Sequence, residues 1–295
     1  MSLTVLQIVQ RSLYRLGLQV PSALIGATDN DTLQVIHLMY ELAEELRNYG
    51  TWPQQKKVYA FDLESGRAKY PLPIDFYSPT LNTQYDTDSS RPLNGPVSDA
   101  EFTAHQYGGV GSVANLTYRI FGPDGNNYTA GGQFQVYPTP SASGQSLAFE
   151  YLFKNLFLPK YWQISTNYTS GQYVSSNGNI YLCDTTGVSS ATTPVSGTAA
   201  NTTDNTTRWD YQNIAYETIL NDNDICIFDD DVMVAGLRAK ILEVRNLEGA
   251  EAALANYKNL RSRAKVRMHG SFTGSFAPQS AGPRYRPSTP GSWSI

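Results

Sequence analysis

Charge is scarce in this chain. Asp, Glu, Lys and Arg make up 16% of its 295 residues, the net charge is -4, and 41% of the residues are hydrophobic. That balance excludes an acidic disordered chain. It also excludes wrapping of nucleic acid by bulk neutralisation, which needs an excess of lysine and arginine. Cysteine is nearly absent. Cys183 and Cys226 lie far apart with no CxxC spacing, so free thiols are expected and a disulfide between them stays open. The histidines, His37, His105 and His269, share no metal-ligand spacing. No run of about 18 apolar residues occurs, so no membrane span is expected. The opening apolar residues are interrupted by Gln7, Gln10, Arg11 and Arg15, unlike a secretory leader. The N-x-S/T sequons at Asn115, Asn127, Asn167, Asn201 and Asn205 therefore read as a product of Asn/Thr-rich composition.

Catalytic patterns are missing as well. No serine sits in a G-x-S-x-G context. Gly108-Gly109-Val110-Gly111 lacks the Lys-Ser/Thr of a phosphate loop. Asp222, Asp224 and Asp229 to Asp231 lack the glycine and terminal glutamate of a calcium loop, so they read as a turn and a helix cap. No pair of carboxylates stands out as glycosidase-like. Neither an enzyme nor a cofactor or metal is expected.

What is present is helical at both ends. Val5, Ile8, Val9, Leu13 and Leu16 mark one helix, stopped at Gly17. Thr28 is the expected cap of a second, with Leu33, Ile36, Tyr40 and Ala43 inward and Gly50 and Pro53 at its end. Asp229 to Asp231 start a third, with Met233, Leu237, Ile241 and Val244 on one face. After Asn246 to Gly249 a fourth carries Ala253, Tyr257, Leu260 and Ala264. Its last turns hold Lys258, Arg261, Arg263, Lys265 and Arg267, a basic surface suited to an acidic protein partner. Amphipathic helices need partners, and packing both pairs together makes everything between them an insertion.

Between the helices the hydrophobic period is that of strands. Val58, Phe61 and Leu63 lead through Ser65-Gly66 to Lys69-Tyr70-Pro71; further strands are expected at 81–85, 116–121, 133–137 and 146–153. Ser98 caps a short helix among them. Residues 161–211 are crowded with Thr, Ser, Asn and Gly, yet too long for a bare loop. Tyr173-Val174, Asn177-Gly178 and Ile180-Tyr181 read as a hairpin, so the stretch is a small all-β module. Its aromatics Tyr168, Tyr173 and Trp209 are candidate glycan contacts, since sugar C–H faces stack on rings; for Trp209 and Tyr181 the plainer reading is the module's own core. From residue 252 onward there is no acidic side chain, and the residues after Gly270 spread single aromatics among Gly, Ser and Pro. Such an arm cannot build a core and can order on a partner. Its candidate contacts are Phe272, Phe276, Arg284, Tyr285, Arg286 and Trp293.

The pieces LTVLQIVQRSLYRLGL, DNDTLQVIHLMYELAEELRNYGTW, YPLPIDFY and the acidic turn with its two closing helices resemble the head-to-tail adaptor proteins of short-tailed, double-stranded-DNA bacteriophages. Tyr168-x-x-Gly171-x-x-Val174, Gly178-x-x-Tyr181 and Trp209 resemble a chitin-binding type of carbohydrate-binding module. The first resemblance implies a virion protein assembled in the host cytoplasm as a homo-oligomeric ring of the dodecameric kind. It implies contact with a portal protein, a tail nozzle or tube protein and tail fibres, with double-stranded DNA passing unread and no membrane partner. The expected fold is α+β. A helical bundle at 1–53 and 213–268 encloses an antiparallel β-domain at 54–159, a module at 160–212, and an extended docking arm follows at 269–295. A glycan-binding virion or host-surface protein acting through the module is the alternative.

Overall fold

The computed structural model of the chain describes residues 2–108, 116–122, 132–176, 179–192, 195–196, 201–212 and 218–269. Within them the fold is mixed α+β, with five helices and several antiparallel sheets.

Helix α1 (Val5–Tyr14) starts at a capping box: Thr4 Oγ1 accepts the Gln7 amide and Gln7 Oε1 accepts the Thr4 amide. It buries Val5, Ile8, Val9 and Leu13. Helix α2 (Asn30–Tyr49) is capped by Asp29, which accepts the Thr32 amide, and not by Thr28. Its inward face matches the expected stripe in part: Ala43 is buried and Ile36 and Tyr40 pack against the core. Val35, Leu38, Met39, Leu42, Ala43 and Leu46 are buried, while Leu33 is 47% exposed. Two apolar stripes run along this helix, and the elements that close over it select between them.

Strands β1 (Lys56–Asp62), β2 (Lys69–Pro71), β3 (Phe76–Pro79), β4 (Tyr85–Asp86) and β5 (Arg91–Pro92) precede helix α3 (Asp99–Tyr107), capped by Ser98. The strand expected at 81–85 is mostly a loop: Gln84 Nε2 donates to the Thr80 carbonyl at 2.7 Å, folding the chain back, and Leu81 is 65% exposed. Strands β6 (Thr117–Phe121), β7 (Gln133–Tyr137) and β8 (Ser146–Phe153) follow. One sheet centres on β8, paired with all of β1 on one side and with β3 and β4 on the other, β5 lying beyond β4. The other has the order β2-β7-β6. Aromatic rings fill the space between the sheets. Phe134 of β7 stacks on Phe149 of β8 at 5.4 Å and on Tyr118 of β6 at 4.7 Å. Stacked and edge-on rings at this spacing add to the area they bury.

Strand β9 (Phe157–Leu158) opens the second half of the chain. It is followed by β10 (Asn167–Tyr168), β11 (Tyr173–Ser176), β12 (Asn179–Thr185), β13 (Gly187–Val188), β14 (Thr202–Asp204), β15 (Thr207–Gln212) and β16 (Ile225–Cys226). The chain closes with helices α4 (Asp230–Val244) and α5 (Ala250–His269). The hairpin β11–β12 pairs as its sequence indicates, with Ser176 opposite Asn179, and the sheet continues β11-β12-β15-β14.

Helix α4 packs against α1, α2 and α5. Its passage between α2 and α5 depends on Gly236, where an added Cβ would meet Leu42 Cδ1 at 2.6 Å and Tyr257 Cε2 at 2.8 Å. Met233, Leu237 and Ile241 are buried as their spacing indicates, whereas Val244 is 47% exposed. One apolar core runs without a break from these helices into both sheets of the β region. Trp52 meets Phe228 edge-on at 5.4 Å, and Tyr40 meets Phe157 at 5.4 Å. Residues 162–209 hold a second, separate core.

Candidate interaction surfaces

The chain enters and leaves the region of the second core at one place. Strands β9 and β16 are antiparallel neighbours, Leu158 opposite Ile225 and Phe157 opposite Cys226, and Ile225 also bridges to Thr4. A two-stranded neck thus fixes the module's base to the start of α1. The acidic turn reinforces this neck by accepting backbone donors. The first amides of a helix have no partner inside it. In α1, Val5 N–H donates to the Asp224 carbonyl at 2.7 Å and Leu6 N–H to the Asp222 carbonyl at 3.3 Å. Asp222 Oδ1 also receives the Leu24 and Ile25 amides, which pins the α1–α2 loop. Asp224, itself 1% exposed, receives the Leu220 and Asn221 amides. Asp230 Oδ2 takes the Leu3 amide at 2.8 Å, and Asp229 caps α4. Burial pushes the Asp230 carboxyl above its usual value; the Leu3 amide opposes that, and the neighbouring Asp229 and Asp231 charges add to it. The acids are clamps. Among the described residues no group of His, Cys, Asp and Glu is placed to hold a metal ion.

The module's core is built on a carboxylate that the sequence did not single out. Asp204 is 6% exposed; its Oδ2 accepts both indole N–H groups, from Trp162 at 2.7 Å and Trp209 at 3.1 Å, and its Oδ1 accepts the Ser190 amide at 2.8 Å. Trp209, with no exposed surface, has Tyr168 edge-on at 5.0 Å, and Tyr168 receives the Gln163 amide on its hydroxyl. The faces of Trp209 and most of Tyr168 are thus occupied by the module itself, while Tyr173 is half-buried on β11. Tyr161, 55% exposed, bridges to Ser175 beside it.

The thiols are buried and unpaired with one another. Burial raises the Cys183 thiol and pushes Cys226 up to about 12, which keeps both in the unreactive neutral form. His37 is exposed beside Glu41 on α2. The basic end of α5 is largely engaged within the chain. Arg261 pairs with Glu45 at 2.6 Å and lies over the Tyr49 ring at 3.8 Å, Lys265 faces the same ring, and Arg267 reaches Asp229 at 3.4 Å. Lys258 and Arg263 of the same helix are exposed and, like Arg11 and Arg15 of α1 and Arg238 of α4, form no ion pair among the described residues. Phe272, Phe276, Arg284, Tyr285, Arg286 and Trp293 lie outside the described residues.

A family model described as SU10 adaptor protein matches residues 3–160, more than half of the chain, and the chain belongs to that family of phage adaptors. It is a bacteriophage structural protein and a virion component. The match ends at the base of the module; α4 and α5, which complete the same core, lie beyond it. Among curated proteins none matches the chain. In the described residues no helix is long and apolar enough to cross a membrane.

Proposed function

We propose that this protein forms a closed ring between the portal vertex and the tail of a short-tailed phage, and that the ring is part of the channel through which the genome is ejected. The observation that carries the reading is membership of the adaptor family over the opening helices and the β region. In this reading the helices of the bundle face neighbouring copies. The arm at 269–295 reaches into the portal protein through Phe272, Phe276, Arg284, Tyr285, Arg286 and Trp293, and the opposite face receives the nozzle or tube protein. Closed symmetry lets individually weak contacts act together. A chain of net charge -4 suits a lumen past which DNA slides without adhering. Deleting residues 270–295 should leave a folded protein that no longer captures portal rings in a pull-down; unchanged capture would refute the docking role of the arm.

A second reading concerns the module alone. Tyr173 and the exposed Tyr161 sit on adjacent segments and offer aromatic surface to a sugar on the virion's exterior. Binding on a glycan array that Tyr173→Ala abolishes, with the module still folded, would support it. An array with no bound sugar counts against it.

A further inference from the structure

Three arginines that form no ion pair among the described residues line one groove. A groove of ≈ 150 Å³ between α1, α4 and α5 is lined by Arg11, Arg15 and Arg238, with Val234, Ala253 and Leu260 as apolar wall. Asp231 is the acid on its rim. The Arg238 Nε is shut off from solvent and has no hydrogen-bond partner. A guanidinium presents its donors in a fixed fork suited to carboxylates, so the groove is built to take a carboxylate-bearing, partly apolar segment.

The chain itself carries such a segment. At the corner between α4 and α5, Glu243, Glu248 and Glu251 are exposed and form no ion pair among the described residues. Between them Val244 is 47% and Leu247 40% exposed. The neighbouring Arg245 is matched by Asp31 at 2.9 Å, so the corner stays acidic. An acidic corner with an apolar tip complements a basic groove with an apolar wall. The corner cannot enter the groove of its own chain, because Arg238 and Val244 sit on one rigid helix about 9 Å apart along its axis.

We propose that the α4–α5 corner of one copy docks into the α1–α4–α5 groove of the next, and that this head-to-tail contact joins the copies of the adaptor. It rests on the ring reading above and names the surfaces that make the ring. Two different patches meet in such a contact, so it repeats from copy to copy and closes when the rotation permits.

The test is a charge swap on the full chain. One variant reverses the groove (Arg11→Glu, Arg15→Glu, Arg238→Glu) and the other the corner (Glu243→Arg, Glu248→Arg, Glu251→Arg). Circular dichroism and melting establish that each is folded, and mass photometry and sedimentation velocity follow assembly over a concentration series. Wild type should self-associate. Each variant alone should need roughly tenfold or more higher concentration to do so. An equimolar mixture should recover assembly, because acidic groove meets basic corner and basic groove meets acidic corner in alternation. If wild type assembles and both folded variants assemble equally well, the contact is wrong and the ring reading stands. If wild type stays monomeric throughout, the contact is wrong, and portal capture by the same protein decides the adaptor reading separately. If a variant does not fold, single reversals at Arg11 and Glu248, both exposed, replace it with the same expectation. Binding of duplex DNA that only the groove variant loses, with its assembly unchanged, would assign the groove to phosphate and overturn the proposal.

Discussion

The two cores of this protein solve the same problem by different means. The main core joins four of the helices and both sheets of the β region into one apolar body, with aliphatic side chains between helices and stacked rings between sheets. The module's core has few apolar members, Trp162, Tyr168, Val174, Tyr181, Cys183, Val195 and Trp209, and wraps them around the buried Asp204 carboxylate. A small body exposes a larger share of its surface and gains less from burial. A charged acceptor shared by two indoles and an amide fixes a unique arrangement where apolar area alone would leave several. The comparison teaches that the module's order depends on one polar hub, and that of the main body on close packing.

The sharpest way to break that comparison is at the hub. Asp204→Ala leaves the Trp162 and Trp209 indoles and the Ser190 amide without their acceptor. A loss of about 4 kcal/mol is expected, since each buried donor left unsatisfied costs about 1–3 kcal/mol. Hydrogen exchange should show β11, β12 and β15 losing protection while α1, α2 and α4 keep theirs. Equal loss in both regions would mean that the two cores unfold as one.

The counterpart in the main body is Gly236. Gly236→Val places methyl groups where Leu42 and Tyr257 already lie, both nearly or wholly inaccessible to solvent. Overpacking of this kind costs about 2–3 kcal/mol. Denaturant melting should record that loss, with exchange protection falling in the helices and not in the module.

The smallest effect lies at the neck between the regions. The folded-state pKa of Asp230 is raised, chiefly by burial, so ionisation there opposes folding. Stability tied to this group is fully present at low pH and is lost as pH rises through its folded value. Asp230→Asn keeps an acceptor for the Leu3 amide and removes the charge. It should stabilise the protein slightly at neutral pH, by no more than about 1 kcal/mol, and the gain should fade as pH falls into the carboxylate range. Melting temperatures of both proteins across that range provide the check; a gain that grows on acidification would reverse the assignment.

Much of the framework was legible. The opening and closing helices, the Ser98 cap, the strands β6, β7 and β8 and the β11–β12 hairpin all carry local signals: periodicity, caps and turn residues. The misreadings share a cause. Thr28 and Asp29 are adjacent residues of the same capping class, and the helix takes the second. Residues 81–85 alternate like a strand, yet the Gln84 side chain turns them into a loop. The partners of Arg261, Lys265 and Arg267 at the end of α5 were not legible, because Glu45, Tyr49 and Asp229 are distant in the chain. Asp204 looked ordinary because nothing local shows that two tryptophans converge on it.

The sequence by itself determined the opening and closing helices, the strands β6, β7 and β8 and the β11–β12 hairpin. These follow from side-chain period, backbone propensity and turn residues, which act over a few residues. Only the tertiary structure decided which stripe of α2 is buried, which acids become clamps, and which cations remain unpaired. Those outcomes depend on neighbours brought together across as many as 227 positions, as between Leu3 and Asp230. No local rule reaches that far, because the energy of a charge or a ring is set by what packs against it.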